Sequence, residues 1–207
     1  MIKNFNNLKE SGIRYGGHAG NKLGVVIDGE NWFLKFPKST KDLLRKVDIS
    51  YTTSPLSEYI GSHIYKSLGI PVHETMLGIK DEKLVVAFNK FWKKQKYYRI
   101  EDYNSIKNDY VEGLEKKLES TSSSNPHAIN IDETIIIMNN NPLFNRVAGL
   151  KDRFWDMFIV DALIGNNDRN NGNWGVIVDN RTNETKIAPV FDNGASFNTK
   201  SSDENIE

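Results

Sequence analysis

A chain of 207 residues, 38% apolar and 26% charged, has the composition of an ordinary globular protein and the length for one sizeable core or two small ones. Lysine plus arginine and aspartate plus glutamate balance at 27 each, so no overall field favours nucleic acid or an anionic membrane. Cysteine is absent, which excludes disulfides, thiolate nucleophiles and cysteine-ligated metals.

Residues 1–7 lack the apolar core of a signal peptide, and the strongest apolar run, 154–164, is too short to span a bilayer and contains Asp156 and Asp161. A soluble, cytoplasmic protein is the expectation. From the N-terminus, Gly16, Gly17, His18, Ala19, Gly20 and Asn21 form a glycine-rich turn before a predicted strand from Lys22 to Asp28. Asp28-Gly29-Glu30 is a hairpin turn leading into a second strand, Asn31 to Phe36. Residues 37–53 are polar and read as a flexible connection. Ser54 is the expected N-cap of a helix with Pro55 at its first position, apolar residues Leu56, Tyr59, Ile60, Ile64 and Leu68 at helical spacing, and Gly69 at its end.

Strands are then expected at 71–77 and 84–88, joined by a polar turn over 79–83. A charged, helical stretch follows from about residue 89 to Ser120, then a loop over 121–126 and a short helix over 131–138, with a strand as the less favoured alternative because of Ile135, Ile136 and Ile137, interrupted by Asn139-Asn140-Asn141-Pro142. Asp152 caps a further helix whose apolar residues, from Phe154 to Ile164, run nearly all the way round, the pattern of a fully buried element. It ends at Gly165. A hairpin of strands 174–178 and 186–191 precedes Asp192-Asn193-Gly194.

The chemistry concentrates at Gly165 to Trp174 and at Asp192. Phosphoryl transfer needs few groups but needs them well placed: a carboxylate to orient the attacking hydroxyl, and a second carboxylate with an amide oxygen to hold Mg²⁺. Asp168, with Asn173 five residues later on one loop and Asp192 at the end of the adjoining hairpin, meets that need, in the spacing protein kinases use. Clusters of Asn, Asp and Gly are also simple turn formers, and the second motif is what separates the two readings. Asp161 is better read as a helix-to-loop hydrogen-bond partner than as catalytic.

In the N-terminal half, backbone amides of the glycine turn are suited to cradling phosphates, although a bland turn has the same composition. Lys35, flanked by apolar neighbours, is suited to reach phosphates as a point charge or to snorkel at an edge. Glu58, in the first turn of the next helix, is its natural partner. His18, His63, His73 and His127 show no metal-ligand spacing; His18 alone is placed to touch phosphate. Trp155 and Trp174 read as core supports. No helix-turn-helix or basic stripe suggests nucleic-acid reading.

Seven segments together resemble the HipA-like Ser/Thr protein kinases, in particular the stand-alone branch of that family. They are Gly-Gly-x-x-Gly-Asn-Lys at 16–22, Lys-Phe-Pro at 35–37, Ser-Glu-Tyr at 57–59, Leu-Gly-Ile-Pro-Val-His-Glu-Thr at 68–75, Phe-Trp-Asp-Met-Phe at 154–158, Asp-Arg-x-Asn-Gly-Asn-Trp-Gly at 168–175 and Ala-Pro-x-Phe-Asp-Asn-Gly at 188–194. The resemblance implies an α+β, protein-kinase-like bilobal fold, with a strand-rich N-lobe over 1–90 and a mostly helical, partial C-lobe over 91–207. It implies Asp168 as catalytic base, Asn173 and Asp192 as Mg²⁺ ligands, and ATP as the second cofactor. The nucleotide would meet Gly16 to Lys22, Lys35 supported by Glu58, and a hinge at Phe88, Asn89 and Lys90. A protein substrate offering Ser or Thr is implied, and autophosphorylation, with Thr75 and Ser120 to Ser124 as candidates. Asn170 stands where the family commonly has His. The chain ends at Glu207, soon after Asp192, where family members continue, so an inhibitory or completing partner chain is a further expectation. A non-catalytic nucleotide-binding module, regulatory or toxin–antitoxin, and a small-molecule or lipid kinase on the same scaffold are the alternatives.

Overall fold

Alternating apolar residues over Lys22–Ile27 (β2) and Glu30–Lys35 (β3) form an antiparallel pair closed by a two-residue turn in which Asp28 and Gly29 both take positive φ, the geometry that matches strand twist. The computed structural model describes residues 2–12, 22–41, 50–89, 97–114 and 129–199, with the backbone alone over 109–114. Thr75–Lys80 (β4) and Lys83–Phe88 (β5) make a second hairpin, and β3 pairs with β5. With Lys3–Asn4 (β1) parallel to β4, the sheet runs β1-β4-β5-β3-β2. Phe5, Val25, Ile27, Trp32, Leu34, Val85 and Ala87 pack together on one face. The opposite face carries Lys22, paired directly with Lys35, and Phe33 beside Phe88.

Ser54–Ser67 (α1) lies across β4 and β5. Thr53, not Ser54, is its N-cap, and it makes no side-chain cap bond. The C-terminus is as expected: Gly69 takes φ +73°, and Ile70 N–H and Gly69 N–H bond the carbonyls of Tyr65 and Lys66, a Schellman closure. The buried face corrects the sequence reading. Ile60 and Leu68 are exposed, while Ser57, Glu58, Gly61, Ser62 and Tyr65 face inward, because polar partners across the cleft dictate the helix's rotation.

Three boundaries also shift. The strand expected over 71–77 begins at Thr75 and absorbs Ile79 and Lys80, leaving Asp81 and Glu82 as a positive-φ turn. Residues 71–74 instead run beside Val190, with His73 N–H bonding Val190 O and Val190 N–H bonding Pro71 O. The arms of the 37–53 segment pair with each other, Thr40 N–H to Ser50 O and Thr52 N–H to Lys38 O.

Part of the charged stretch after residue 89 is a strand and not a helix. Tyr98–Asp102 (β6) pairs with Gly175–Asp179 (β7), which pairs in turn with Thr185–Ile187 (β8). Helices follow at Tyr103–Leu114 (α2), Ile131–Asn140 (α3), Pro142–Arg146 (α4) and Leu150–Ile164 (α5). Asn130 caps α3 and Asn141 caps α4 through their side chains. Gly149, with φ +74°, starts α5, so Asp152 is a first-turn acid and not the cap. Tyr103, stacked on Trp174 at 4.4 Å, centres the second core with Phe154, Phe144 and Leu150. Only one face of α5 joins that core: Ile159 and Leu163 are 64% and 75% exposed, and Trp155 and Phe158 are also open to solvent. The fold is α+β. Among the described residues no helix is long and apolar enough to cross a membrane.

Candidate active site

The polar face of α1 and the end of β3 meet across a cleft. Lys35 Nζ lies 2.8 Å from Glu58 Oε2 and 3.1 Å from Asp192 Oδ1, so one cation is held by carboxylates from a helix and from the segment after β8. Burial by itself would lower the Lys35 pKa; the charges of Glu58 and Asp192 outweigh it and hold the ammonium above its ordinary value. Burial would likewise raise Glu58, but Lys35 and the hydrogen bond from His73 keep its carboxyl well below the usual carboxylate range. Lys22 is shifted down, first by burial, with Asp192 opposing and Lys35 adding to the effect.

Asp192 owes its position to a left-handed residue conformation, φ +58°, and to the locked residue after it. Asn193 is fully buried: its N–H donates to Glu58 Oε1 at 2.8 Å, its Nδ2 to Ser62 Oγ at 3.1 Å, and its Oδ1 accepts from Arg169 Nη2 at 2.6 Å. Gly194 follows because no side chain fits there. A Cβ would come within 2.6 Å of Lys35 Nζ and 2.9 Å of Glu58 Oε2.

Arg169 organises the loop after α5. Its guanidinium binds Asp161 through Nε at 2.7 Å and Nη2 at 3.1 Å, and Nη1 donates to the carbonyls of Asn173 and Phe191. Asp161 also accepts from Tyr65 Oη at 2.8 Å and Asn166 Nδ2 at 2.9 Å, a structural hub as its sequence context suggested. Asn173 Nδ2 donates to Asp168 O at 3.0 Å, and Asn170 Oδ1 accepts from Gly172 N–H, so a neutral amide closes the turn at position 170. Asp168 itself is exposed, and among the described residues nothing bonds its carboxylate.

Two adjoining cavities share Lys35 and Asp192. One, of about 410 Å³, is walled by Asp168, Asn167, Lys38, Ser54 and Thr199. The other, of about 140 Å³, is walled by Lys22, Glu58, His73, Phe88, Asn89 and Asn173. The structure therefore brings Asp168, Asn173, Asp192, Lys22, Lys35, Glu58, Phe88 and Asn89 to one cleft. Asn89 is buried and its Nδ2 is turned to Glu74 Oε2 at 3.0 Å. Gly16, Gly17, His18, Ala19, Gly20, Asn21 and Lys90 lie outside the described residues, as do His127 and Ser120 to Ser124.

Two expectations change here. Thr75 Oγ1 is buried without a hydrogen-bond partner among the described residues, so that hydroxyl is shielded from any attacking role. Trp174 is a core support, but Trp155 is 38% exposed. Arg169, Asn193, Ser62, Tyr65 and His73 join the site beyond the residues the sequence points to, and of these Arg169 and Asn193 sit inside the two quoted motifs. Among the described residues no three His, Cys, Asp or Glu side chains converge on a metal position. The donor set at the cleft, one carboxylate and one amide oxygen beside cationic lysines, suits a hard cation whose other ligands are phosphates and water.

No protein-family model matches the chain. A search of curated proteins finds the serine/threonine-protein kinase CtkA of Helicobacter pylori (strain J99), 38% identical over 189 residues, which are 91% of this chain and 54% of the relative. This chain is similar to CtkA. A crystal structure of a Helicobacter pylori proinflammatory kinase CtkA superposes with a TM-score of 0.78 at 31% identity, covering 99% of this chain and 64% of that one. The chain thus spans about half the length of the curated CtkA sequence.

Proposed function

We propose that this chain carries the ATP-binding and phosphoryl-transfer centre of a Ser/Thr protein kinase. The observation that carries the reading is Lys35, held between Glu58 and Asp192 at the junction of two cavities whose walls bear Asp168 and Asn173. The similarity to CtkA, a serine/threonine-protein kinase, supports it. In this reading the five-stranded sheet and α1, residues 1–90, are the small lobe, and 91–207 are part of the large lobe of a bilobal fold.

Asn173 Oδ1 and Asp192 would hold Mg²⁺, which would supply charge neutralisation at the nucleotide's phosphates. Lys35 binds the α- and β-phosphates as a fixed point charge, and Glu58 keeps its ammonium from swinging into solvent. Lys22, Phe88 and Asn89 line the nucleotide side; by resemblance, Gly16 to Asn21 would cover the phosphates and Lys90 would belong to the hinge. Asp168 orients the acceptor Ser or Thr hydroxyl and takes its proton. Its exposure matches that task, since the acceptor must reach it from solvent.

Incubation with Mg-ATP followed by intact mass tests the reading. Wild type is expected to gain phosphate, on itself or on an added Ser/Thr peptide, while Asp168→Ala and Asp192→Ala gain none. Equal gain in all three, or a gain only on lipid or aminoglycoside acceptors, would overturn it. Thermal stabilisation by Mg-ATP with no transfer in any sample would leave a nucleotide-binding module.

A further inference from the structure

His73 is a buried, ionisable side chain with no part in the chemistry above. Its Nε2 lies 3.0 Å from Glu58 Oε1 and 3.1 Å from Ser62 Oγ, both on α1. The ring of Phe88, on β5, sits 5.9 Å away. Behind Glu58 stands Lys35 of β3, and Asn193 N–H shares Glu58 Oε1. The neighbouring Glu74 is engaged elsewhere, with Asn89. The His73 backbone meanwhile donates to Val190 O, two residues before Asp192.

The tautomer follows from these contacts. Glu58 is an acceptor on both oxygens, so a lone pair at Nε2 would face a carboxylate at 3.0 Å with no proton between them. Nε2 therefore carries the hydrogen. Glu58 is then held at three points: Oε2 by Lys35, and Oε1 by His73 and by the Asn193 backbone. Without the His73 donor, the carboxylate is held at two points instead of three, and its terminal torsion, which is broad for a glutamate, is less tightly fixed.

Resting on the kinase reading for its functional meaning, we propose that His73 is a positioning residue that fixes the Glu58 carboxylate and, through it, sets Lys35 at the phosphate-facing wall. A packing role for the imidazole and this hydrogen-bonding role make different demands. Packing needs ring volume; positioning needs one N–H at the right reach. Glutamine retains such a donor, asparagine stops short of Glu58, and leucine fills space with no donor at all.

The test compares His73→Leu, His73→Asn and His73→Gln with wild type in the full chain, with circular dichroism and melting temperature to show that each is folded. The first readout needs no nucleotide: the rate at which a succinimidyl ester acylates Lys35, mapped by peptide mass spectrometry. Losing one charge-assisted bond to Glu58 is expected to raise that rate about tenfold in the Leu and Asn variants, with Gln near wild type. The second readout is KM for ATP against kcat with a Ser/Thr peptide, where KM is expected to rise more than kcat falls, again rescued by Gln. Unchanged Lys35 acylation in a folded Leu or Asn variant would overturn the proposal, and so would equal changes in Gln and Leu. If wild type transfers no phosphate, the kinase reading fails by itself, and the acylation rates still decide the role of His73.

Discussion

The guanidinium of Arg169 and the carboxylate of Asp161 form a buried two-point pair, Nε to Oδ2 at 2.7 Å and Nη2 to Oδ1 at 3.1 Å. The remaining Arg169 donors hold Asn193 and the carbonyls of Asn173 and Phe191, so one side chain ties the Asn173 loop and the segment after β8 to α5. Removing one partner leaves the other charge buried and unpaired. Asp161→Ala is expected to cost about 3–5 kcal/mol in urea unfolding, and Arg169→Lys to recover only part of what Arg169→Ala loses, because a single ammonium cannot span all the acceptors of the guanidinium.

The Asp168 side chain is exposed and its carboxylate has no hydrogen-bond partner among the described residues, so its replacement should leave the scaffold, including the backbone bonds at this position, intact. Asp168→Asn is expected to melt within about 1 °C of wild type and to keep its stabilisation by Mg-ATP, while phosphate transfer falls about 10²–10⁴-fold, the scale of a lost general base. Scanning calorimetry with and without nucleotide, beside single-turnover transfer, checks both halves.

How far the residues announce this arrangement depends on the range of the interaction. The β2–β3 hairpin, the Gly69 and Gly165 helix ends and the Asp168 to Asn173 loop are written in local signals, and each lies where its residues indicate. Tyr98–Asp102 carries no such signal: it is charged, and it becomes a strand because Gly175–Asp179 offers it an edge. The rotation of α1 is likewise non-local. Its apolar stripe points at Ile60 and Leu68, but Glu58, Ser62 and Tyr65 have partners more than 90 residues away in Asn193 and Asp161, and those partners win. Asn193 was legible as a motif residue, not as the buried junction it forms.

Gly194 has no need of a special φ; it is there for room. Gly194→Ala would place a methyl 2.6 Å from Lys35 Nζ, and the lysine has nowhere to retreat without leaving Glu58 or Asp192. The expected loss is about 1–3 kcal/mol of stability, as for other overpacked sites, together with weaker ATP binding. Gly29→Ala, at a turn with open space around it, is the comparison for strain alone.

The buried Lys35–Glu58 pair also gives stability a pH dependence. Glu58 in the folded chain titrates below its ordinary 4.5, so its contribution is present above that value and is lost as pH falls through the folded pKa. Lys35 titrates above its ordinary 10.5, so its contribution is complete below that value and is lost as pH rises further. Between those limits the pair's contribution is flat. Urea titrations from pH 2 to 7 are expected to show an acid limb in wild type that is shallower in Glu58→Gln.

Helix α1 sits beside the five-stranded sheet, yet its polar bonds run the other way. Tyr65 reaches Asp161 and Met157 O, and Glu58 and Ser62 reach Asn193, whereas one charged pair, Lys35 with Glu58, ties it back to β3. Mechanically, the helix packs on β4 and β5 while its hydrogen bonds tie it to α5 and to Asn193, so it is fastened on both sides of the cleft. Widening of the cleft would pull on one of those attachments and on the Lys35–Asp192 contact, so the lysine that would orient the phosphates would also report whether the two halves are shut.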